Sequence, residues 1–68
     1  MSKIYPSPTG EEVRAARKRV NMTQTQAAAV VGASLRSWQE WESGVRGMHP
    51  GLWELFTLKC LLLETGRL

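Results

Sequence analysis

The sequence carries helix start and stop signals spaced so closely that only short helices fit between them. Thr9-Gly-Glu-Glu12 and Thr23-Gln-Thr-Gln26 both match the capping box, in which a threonine and a Glu or Gln three residues later bond to each other's backbone N–H. Gly32 and Gly44 stand where helices close in the left-handed conformation. Pro50 fits the first turn of a last helix. Because no segment alternates like a strand, these signals predict an all-α chain of four or five short helices.

A chain of 68 residues has room for one domain, and such a domain buries only about 60% of the surface of its unfolded chain. Small domains are therefore commonly reinforced by disulfides, a metal, oligomerisation or close helix packing. Cys60 is the only cysteine and His49 the only histidine, which excludes an internal disulfide and a Cys/His zinc site. We expect no metal, no cofactor and no small-molecule ligand, so stability must come from oligomerisation or from helix packing.

Residues 1–8 contain two prolines and no periodicity, which indicates a flexible N-terminal arm ahead of a folded domain at residues 9–68. The arm lacks the apolar stretch of a secretory signal. The longest apolar region, residues 52–63, is interrupted by two charged residues and is shorter than the ~20 residues that a membrane span needs. With a single cysteine as well, we expect a cytoplasmic protein without a membrane partner.

The middle of the chain combines the features of a helix-turn-helix. The first of its two helices is short, ends at Gly32, and carries the small Ala28 where a bulky side chain would separate helices crossing at ~90–120°. The second helix, residues 34–43, places Trp38 and Trp41 one turn apart, on the face that must pack inward. The alternative is that these tryptophans stack on single-stranded bases. In a helix-turn-helix the second helix enters the major groove of DNA.

Two strings carry a family resemblance: Met22-Thr-Gln-Thr-Gln-Ala-Ala-Ala-Val-Val-Gly-Ala-Ser34 and Trp38-Gln-Glu-Trp-Glu-Ser-Gly44. Their spacing resembles the helix-turn-helix of the phage Cro/C1-repressor family, also called the XRE family. The resemblance covers residues 11–60 and implies a compact, lambda-repressor-like domain of four to five helices. The chain departs from the family in its two tryptophans, where aliphatic residues are usual, and in a longer loop after Gly44. A narrower likeness joins residues 36–44 to small phage regulators, some encoded beside anti-CRISPR genes.

Helical geometry and the resemblance together assign candidate DNA contacts. If the tryptophans point inward, the outward or flanking positions of the second helix are candidates to read bases. These positions are Arg36, Leu35, Gln39 and Glu40. Arg36 comes first because a guanidinium can donate two hydrogen bonds to guanine. Glu40 has two interpretations, since it can accept from cytosine or simply hold Arg36 one turn earlier.

A second group of polar residues is expected to meet the DNA backbone, which positions a protein without reading sequence. The group consists of Thr23, Gln24, Ser34, Ser37 and Arg46. The resemblance implies this role for Gln24, which opens the first helix of the motif. It also implies a structural ion pair between Arg17 and Glu42. The basic residues Arg14, Lys18 and Arg19 are interpreted as a solvated face in preference to a backbone clamp.

The last predicted helix has more apolar residues than one buried stripe of ~100° can hold. We expect the excess to form the isologous interface of a homodimer. The residues predicted to lie in this interface are Trp53, Phe56, Leu61 and Leu62. The alternative is that the small domain uses all of this surface internally.

These observations predict a sequence-specific, double-stranded DNA-binding transcriptional repressor, whose dimer occupies a pseudo-palindromic operator with half-sites ~34 Å apart. The resemblance implies that such a regulator controls its own operon in a phage or other mobile element. Two alternatives stay open: an antitoxin that represses its own toxin–antitoxin operon, and a protein-interaction module that has lost DNA binding. Glu40 among the candidate base contacts and a net charge of only +3 keep the latter alternative open. No nucleophile–base or paired-carboxylate set indicates an enzyme.

Overall fold

Four α-helices follow one another along the chain: α1 (Gly10–Arg19), α2 (Gln24–Val30), α3 (Leu35–Ser43) and α4 (Pro50–Glu64). The structure is a computed structural model that describes residues 7–66, and no strand forms among them. The all-α prediction is confirmed. Residues 1–6 of the predicted arm lie outside the described residues. Pro8, which the sequence analysis assigned to the arm, is buried, so the folded part of the chain includes it.

Both predicted capping boxes form. The hydroxyl of Thr9 accepts from the backbone N–H of Glu12 at 3.1 Å, and the Glu12 carboxylate accepts from the backbone N–H of Thr9 at 2.8 Å. The corresponding distances between Thr23 and Gln26 are 3.1 and 2.9 Å. Each box satisfies backbone donors that the first turn of a helix would otherwise leave unpaired. The starts of α1 and α2 are therefore determined locally.

The remaining helix boundaries also follow local signals. Ser34 caps α3 by accepting from the backbone N–H of Ser37 at 3.1 Å, and His49 caps α4 by accepting from that of Gly51 at 2.9 Å. Gly32 and Gly44, after α2 and α3, have φ angles of +70° and +85°, a left-handed conformation that a side chain would disfavour. These two glycines turn the chain sharply on either side of α3.

The core is built around the indole of Trp38, which is completely buried. Its ring lies 4.9 Å from that of Phe56 in α4 and 5.6 Å from that of Trp41 in an edge-to-face arrangement, measured between centroids. The prediction that both tryptophans are core residues is confirmed. The core also contains Met48, which is 0% exposed and comes from the loop after α3, where the sequence analysis expected only a connection. The other buried apolar residues are Val13, Ala27, Ala28 and Cys60.

The N-terminus of α1 meets the C-terminal end of α3 at Gly10. A Cβ at this position would collide with the carbonyl oxygen of Glu42 and lie 3.0 Å from that of Trp41. Glycine is therefore needed here for a close backbone approach, although its φ is not positive. No helix within the described range is long and apolar enough to span a membrane.

Candidate nucleic-acid interface

Helices α2 and α3 pack directly on each other and are joined by residues 31–34. Ala28 in α2 is only 1% exposed, as the prediction of a close helix crossing requires. Trp38 and Trp41 turn one face of α3 into the core. The opposite face of α3 is consequently left at the surface, where a DNA major groove can reach it.

Three of the four predicted base contacts lie on this open face. Leu35 is 41% exposed, the Arg36 side chain is 89% exposed, and Gln39 is exposed. Glu40 lies on the same side of the helix but is half-buried. In an α-helix these four positions form one patch, because residues separated by four lie one above the other. We call this patch, Leu35, Arg36, Gln39 and Glu40, the reading face.

A row of hydrogen bonds connects the reading face to the interior. The side-chain amide of Gln39 donates to the amide oxygen of Gln24 at 3.4 Å, and the Gln24 amide donates to the Glu42 carboxylate at 3.1 Å. Because an amide must present its oxygen to a donor and its NH₂ to an acceptor, this row sets which way each amide points. Gln24 thus orients Gln39, a role in addition to the phosphate contact predicted for it.

Glu42 is the buried centre of this row, with a side chain only 3% exposed. One carboxylate oxygen accepts from Arg17 Nε and from the Trp38 indole N–H, each at 2.6 Å. The other accepts from a terminal nitrogen of Arg17 at 3.2 Å and from Gln24 at 3.1 Å. The implied Arg17–Glu42 ion pair is confirmed. The participation of Trp38 and Gln24 was not foreseen, although the i, i+4 spacing of Trp38 and Glu42 could have suggested it.

The pKa of the Glu42 carboxyl results from two opposing effects. Burial by itself raises the pKa, because it disfavours the charged form. The hydrogen bonds from Arg17, Trp38 and Gln24, together with the charge of Arg17, outweigh burial and lower the pKa to about 2. The hydrogen bond between Arg17 and Glu42 also raises the pKa of Arg17. The charged pair therefore joins α1, α2 and α3 behind the reading face at any ordinary pH.

Glu40 has a different environment, between two exposed arginines. Its carboxylate lies 3.5 Å from Arg36 Nε on one side and 3.5 Å from Arg46 Nε on the other. The interpretation in which Glu40 holds Arg36 is confirmed as a contact. The second partner, Arg46, was predicted only as a phosphate contact, and nothing in helical spacing links a loop residue to Glu40.

The other predicted phosphate contacts lie at helix N-termini, where their hydroxyl groups also act as caps. Thr23 accepts from a backbone N–H and retains its own O–H as a donor. The Ser34 hydroxyl accepts from the Ser37 backbone and donates to the Ser37 hydroxyl at 3.1 Å. Ser37 is half-buried, whereas the Arg46 side chain is 72% exposed. Thr23, Ser34 and Arg46 are thus the exposed members of this group.

The predicted dimer residues divide between core and surface. Phe56 is 0% exposed and packs on Trp38 in the core of the domain. Its assignment to a dimer interface is therefore wrong. Trp53 and Leu62 are half-buried, and Leu61 is 55% exposed. Leu58, at 53% exposed, is a surface leucine that the prediction omitted.

Trp53, Leu58 and Leu61 border a groove between α1 and α4 with a volume of about 680 Å³. Alanine side chains of α1, Ala15 and Ala16, form its opposite wall. The groove lies on α1 and α4, away from the reading face of α3. In the described part of the chain, no three His, Cys, Asp or Glu residues come together as they would to hold a metal ion.

No protein-family model matches the sequence. The chain is similar to a Type II methyltransferase, M.MspI of Moraxella sp, with 35% identity over 49 residues. The matched segment covers 72% of this chain but only 12% of the methyltransferase. The similarity therefore concerns a short segment of a much larger protein.

Proposed function

We propose that this chain is a sequence-specific double-stranded DNA-binding protein that represses transcription by occupying an operator. The observation that carries the proposal is the reading face. Arg36 is 89% exposed on a helix whose opposite face is anchored by two buried tryptophans. A donor-rich side chain on a rigid helix binds with less loss of conformational entropy than one on a mobile loop.

Each exposed side chain of the reading face has a complementary group in the major groove. The Arg36 guanidinium can donate to O6 and N7 of guanine, and Leu35 can contact a thymine methyl group. Gln39 can pair with adenine through an amide that Gln24 already orients. Arg46 and the hydroxyl group of Thr23 supply phosphate contacts, which set the position of α3 on the duplex.

The acidic residue on the reading face does not make that face negative. Glu40 lies 3.5 Å from each of two arginines, so the local charge of this group of three is positive. The net charge of the chain is only +3, and two of its exposed positive side chains, Arg36 and Arg46, lie at the proposed contacts. This environment weakens the alternative in which the fold has become a protein-interaction module.

We further propose that the operator is bound by a homodimer formed through α4. Leu58 and Leu61 are more than half exposed beside the groove, and large exposed apolar side chains that cluster on one face mark association surfaces. A two-fold dimer would present two copies of α3 to successive major grooves ~34 Å apart. Such a protein would act in the cytoplasm and repress by excluding RNA polymerase, in the first instance at its own operon.

The similarity to M.MspI is compatible with a small binding module that a larger protein also carries. Because the shared 49 residues make up 12% of that methyltransferase, we propose for this chain the binding role without a methyl-transfer activity. The groups that line the reading face donate and accept hydrogen bonds, and none is arranged as a nucleophile with its base.

The test is binding of the full chain to the DNA upstream of its own gene, with Arg36→Ala as the variant. Loss of one bidentate contact should weaken specific binding by about 5- to 150-fold. The thermal midpoint should change little, since Arg36 is exposed. Lys18→Ala removes the same charge from an exposed position of α1 and should retain most of the affinity. Unchanged binding by Arg36→Ala would mean that the reading face is misassigned.

Salt dependence separates DNA binding from the interaction module. Specific affinity should fall with salt by about 0.9 in log–log slope for each phosphate contact. A flat response would contradict the proposed function.

The dimer is tested by sedimentation equilibrium with Leu61→Glu. A charge at this half-exposed position should raise the dimer dissociation constant by at least about tenfold, because a buried interface does not accept an unpaired carboxylate. Val45→Glu introduces the same charge at a 79% exposed position of the loop between α3 and α4, outside the lining of the groove, and should leave the dimer intact. If both variants associate equally well, α4 is not the interface.

A further inference from the structure

The carboxylate of Glu40 joins two arginines from different parts of the chain. Arg36 lies one turn earlier on α3, and Arg46 lies in the loop that follows this helix. Each carboxylate oxygen faces one guanidinium Nε at 3.5 Å. The backbone N–H of Arg46 also donates to the Glu40 carbonyl oxygen at 3.3 Å. Glu40 therefore holds the start of the loop through its backbone and contacts both arginine side chains through its carboxylate.

The exposure of the three side chains is unequal. The arginines are 89% and 72% exposed, whereas only 26% of the Glu40 side chain is exposed. Exposed ion pairs contribute about 0–1 kcal/mol to folding, so this arrangement does little for stability. Two guanidinium groups next to each other repel. The carboxylate between them offsets part of this repulsion.

The orientation of the arginines leaves their terminal groups available. In both pairs the nitrogen that meets the carboxylate is Nε, which carries one N–H. The terminal nitrogens carry the other four N–H donors of a guanidinium, and these are the groups that can form a bidentate pair with guanine or phosphate. Glu40 itself would have to leave both arginines to accept a hydrogen bond from cytosine.

We propose that Glu40 is a positioning residue that presents Arg36 and Arg46 to DNA as a pair and thereby determines specificity, without contacting a base itself. The inference rests on the proposed DNA-binding function. On arbitrary DNA the carboxylate repels phosphates and offsets one arginine charge, which weakens sequence-independent binding. At the correct site the aligned terminal donors recover this loss through bidentate contacts. Glu40 thus increases the difference in binding affinity between the specific site and arbitrary DNA.

The experiment compares two duplexes, the tightest site that the wild-type full chain selects from a random library and a scrambled duplex of equal composition. Glu40→Gln should bind the scrambled duplex about threefold more tightly, with a salt slope steeper by about 0.9, because one more positive charge is free for phosphate. The ratio of the two affinities should fall at least about fivefold, since Arg36 loses its alignment for guanine and Arg46 its alignment for phosphate. The salt slope and the ratio are quantities that a merely structural role would not change.

Two further variants separate positioning from net charge. Glu11→Gln removes one negative charge from an exposed residue of α1 and should keep the affinity ratio within about twofold of wild type. Glu40→Asp keeps the charge but cannot reach both arginines, so it should lower the ratio without tightening binding to the scrambled duplex.

Three results would overturn the inference. The first is a Glu40→Gln protein with unchanged slope and ratio, and the second is a Glu11→Gln protein that loses discrimination to the same extent. The third is a Glu40→Asp protein that keeps the wild-type ratio of affinities, because a negative charge alone, without contact to both arginines, would then be enough for discrimination. A wild-type protein that binds neither duplex would instead refute the proposed function itself, and with it the inference.

Discussion

Replacing Glu42 by glutamine should destabilise the fold severely, although the two side chains have nearly the same shape. Each oxygen of the Glu42 carboxylate accepts two hydrogen bonds, from Arg17 and Trp38 on one side and from Arg17 and Gln24 on the other. In either rotamer, the glutamine NH₂ would face two donors. The Arg17 side chain, 14% exposed, would also lose its counter-charge in a poorly solvated position.

Two independent considerations give the size of the effect. Removing one partner of a buried ion pair commonly costs about 3–5 kcal/mol. The lowering of the Glu42 pKa from an ordinary 4.5 to about 2 corresponds to about 3 kcal/mol of stabilisation by the charged form. Since 1 kcal/mol shifts the melting temperature of a domain of this size by about 4–8 °C, we expect Glu42→Gln to lower the melting temperature by roughly 12–40 °C.

The loss should depend on pH in a defined direction. Because the pKa of Glu42 is lower in the folded than in the unfolded chain, its stabilisation is present above pH 4.5 and disappears as pH falls through about 2. The difference in unfolding free energy between wild type and Glu42→Gln should therefore be largest near pH 6 and shrink toward zero near pH 2. Urea titrations followed by circular dichroism, at one protein concentration, measure this difference.

Glu64→Gln is the matched control. Glu64 pairs with Arg19 at 2.8 Å, but the Arg19 side chain is 75% exposed and that of Glu64 34% exposed. Screening by water should limit the cost of this variant to about 1 kcal/mol or less. If the two variants are equally stable at pH 6, or if their difference does not change with pH, then burial of the Glu42 carboxylate is not what makes it important.

Two further predictions concern contacts between helices. Alanine is normally favoured over glycine in a helix. Gly10→Ala should nevertheless destabilise the protein by about 1–3 kcal/mol in thermal or urea unfolding, because the new Cβ meets the backbone of Glu42. The control is Gly47→Ala, whose Cβ would lie 3.8 Å from Ser7 and which should leave stability unchanged. If Gly10→Ala instead stabilised the protein, α1 would have to be able to move away from α3. Lys59→Met should cost about 1 kcal/mol in the same measurement, because Lys59 Nζ donates to the Val30 carbonyl oxygen at 2.9 Å and closes the end of α2. A change below about 0.3 kcal/mol would mean that water replaces this bond at no cost.

The helix boundaries could be predicted from the sequence because the groups that determine them are close in the chain. A capping box needs a threonine and a glutamate three residues apart, as at Thr9 and Glu12, and the left-handed turn at Gly44 needs only a residue without a Cβ. The inward direction of Trp38 and Trp41 likewise follows from helical periodicity. For the same reason, the candidate base contacts on α3 could be named as a group.

Contacts between residues distant in the chain were harder to predict. Phe56 and Leu61 are both apolar residues of α4, and periodicity alone did not reveal that the first is fully buried and the second half-exposed. Met48 lies in a loop without periodicity, so no sequence pattern marked it as a core residue. The role of Lys59 depends on where α2 ends in space, which no local signal specifies.

Signals within one or two helical turns of sequence thus predicted four or five short helices, their caps and turns, and the face of α3 that we propose contacts DNA. Only the tertiary structure decided what stands behind and beside that face. It added Gln24 of α2 to the expected pair of Arg17 and Glu42, and it placed Arg46 of the following loop opposite Arg36. These contacts require separate segments to pack in one arrangement, and the free energy of that packing is a property of the whole domain.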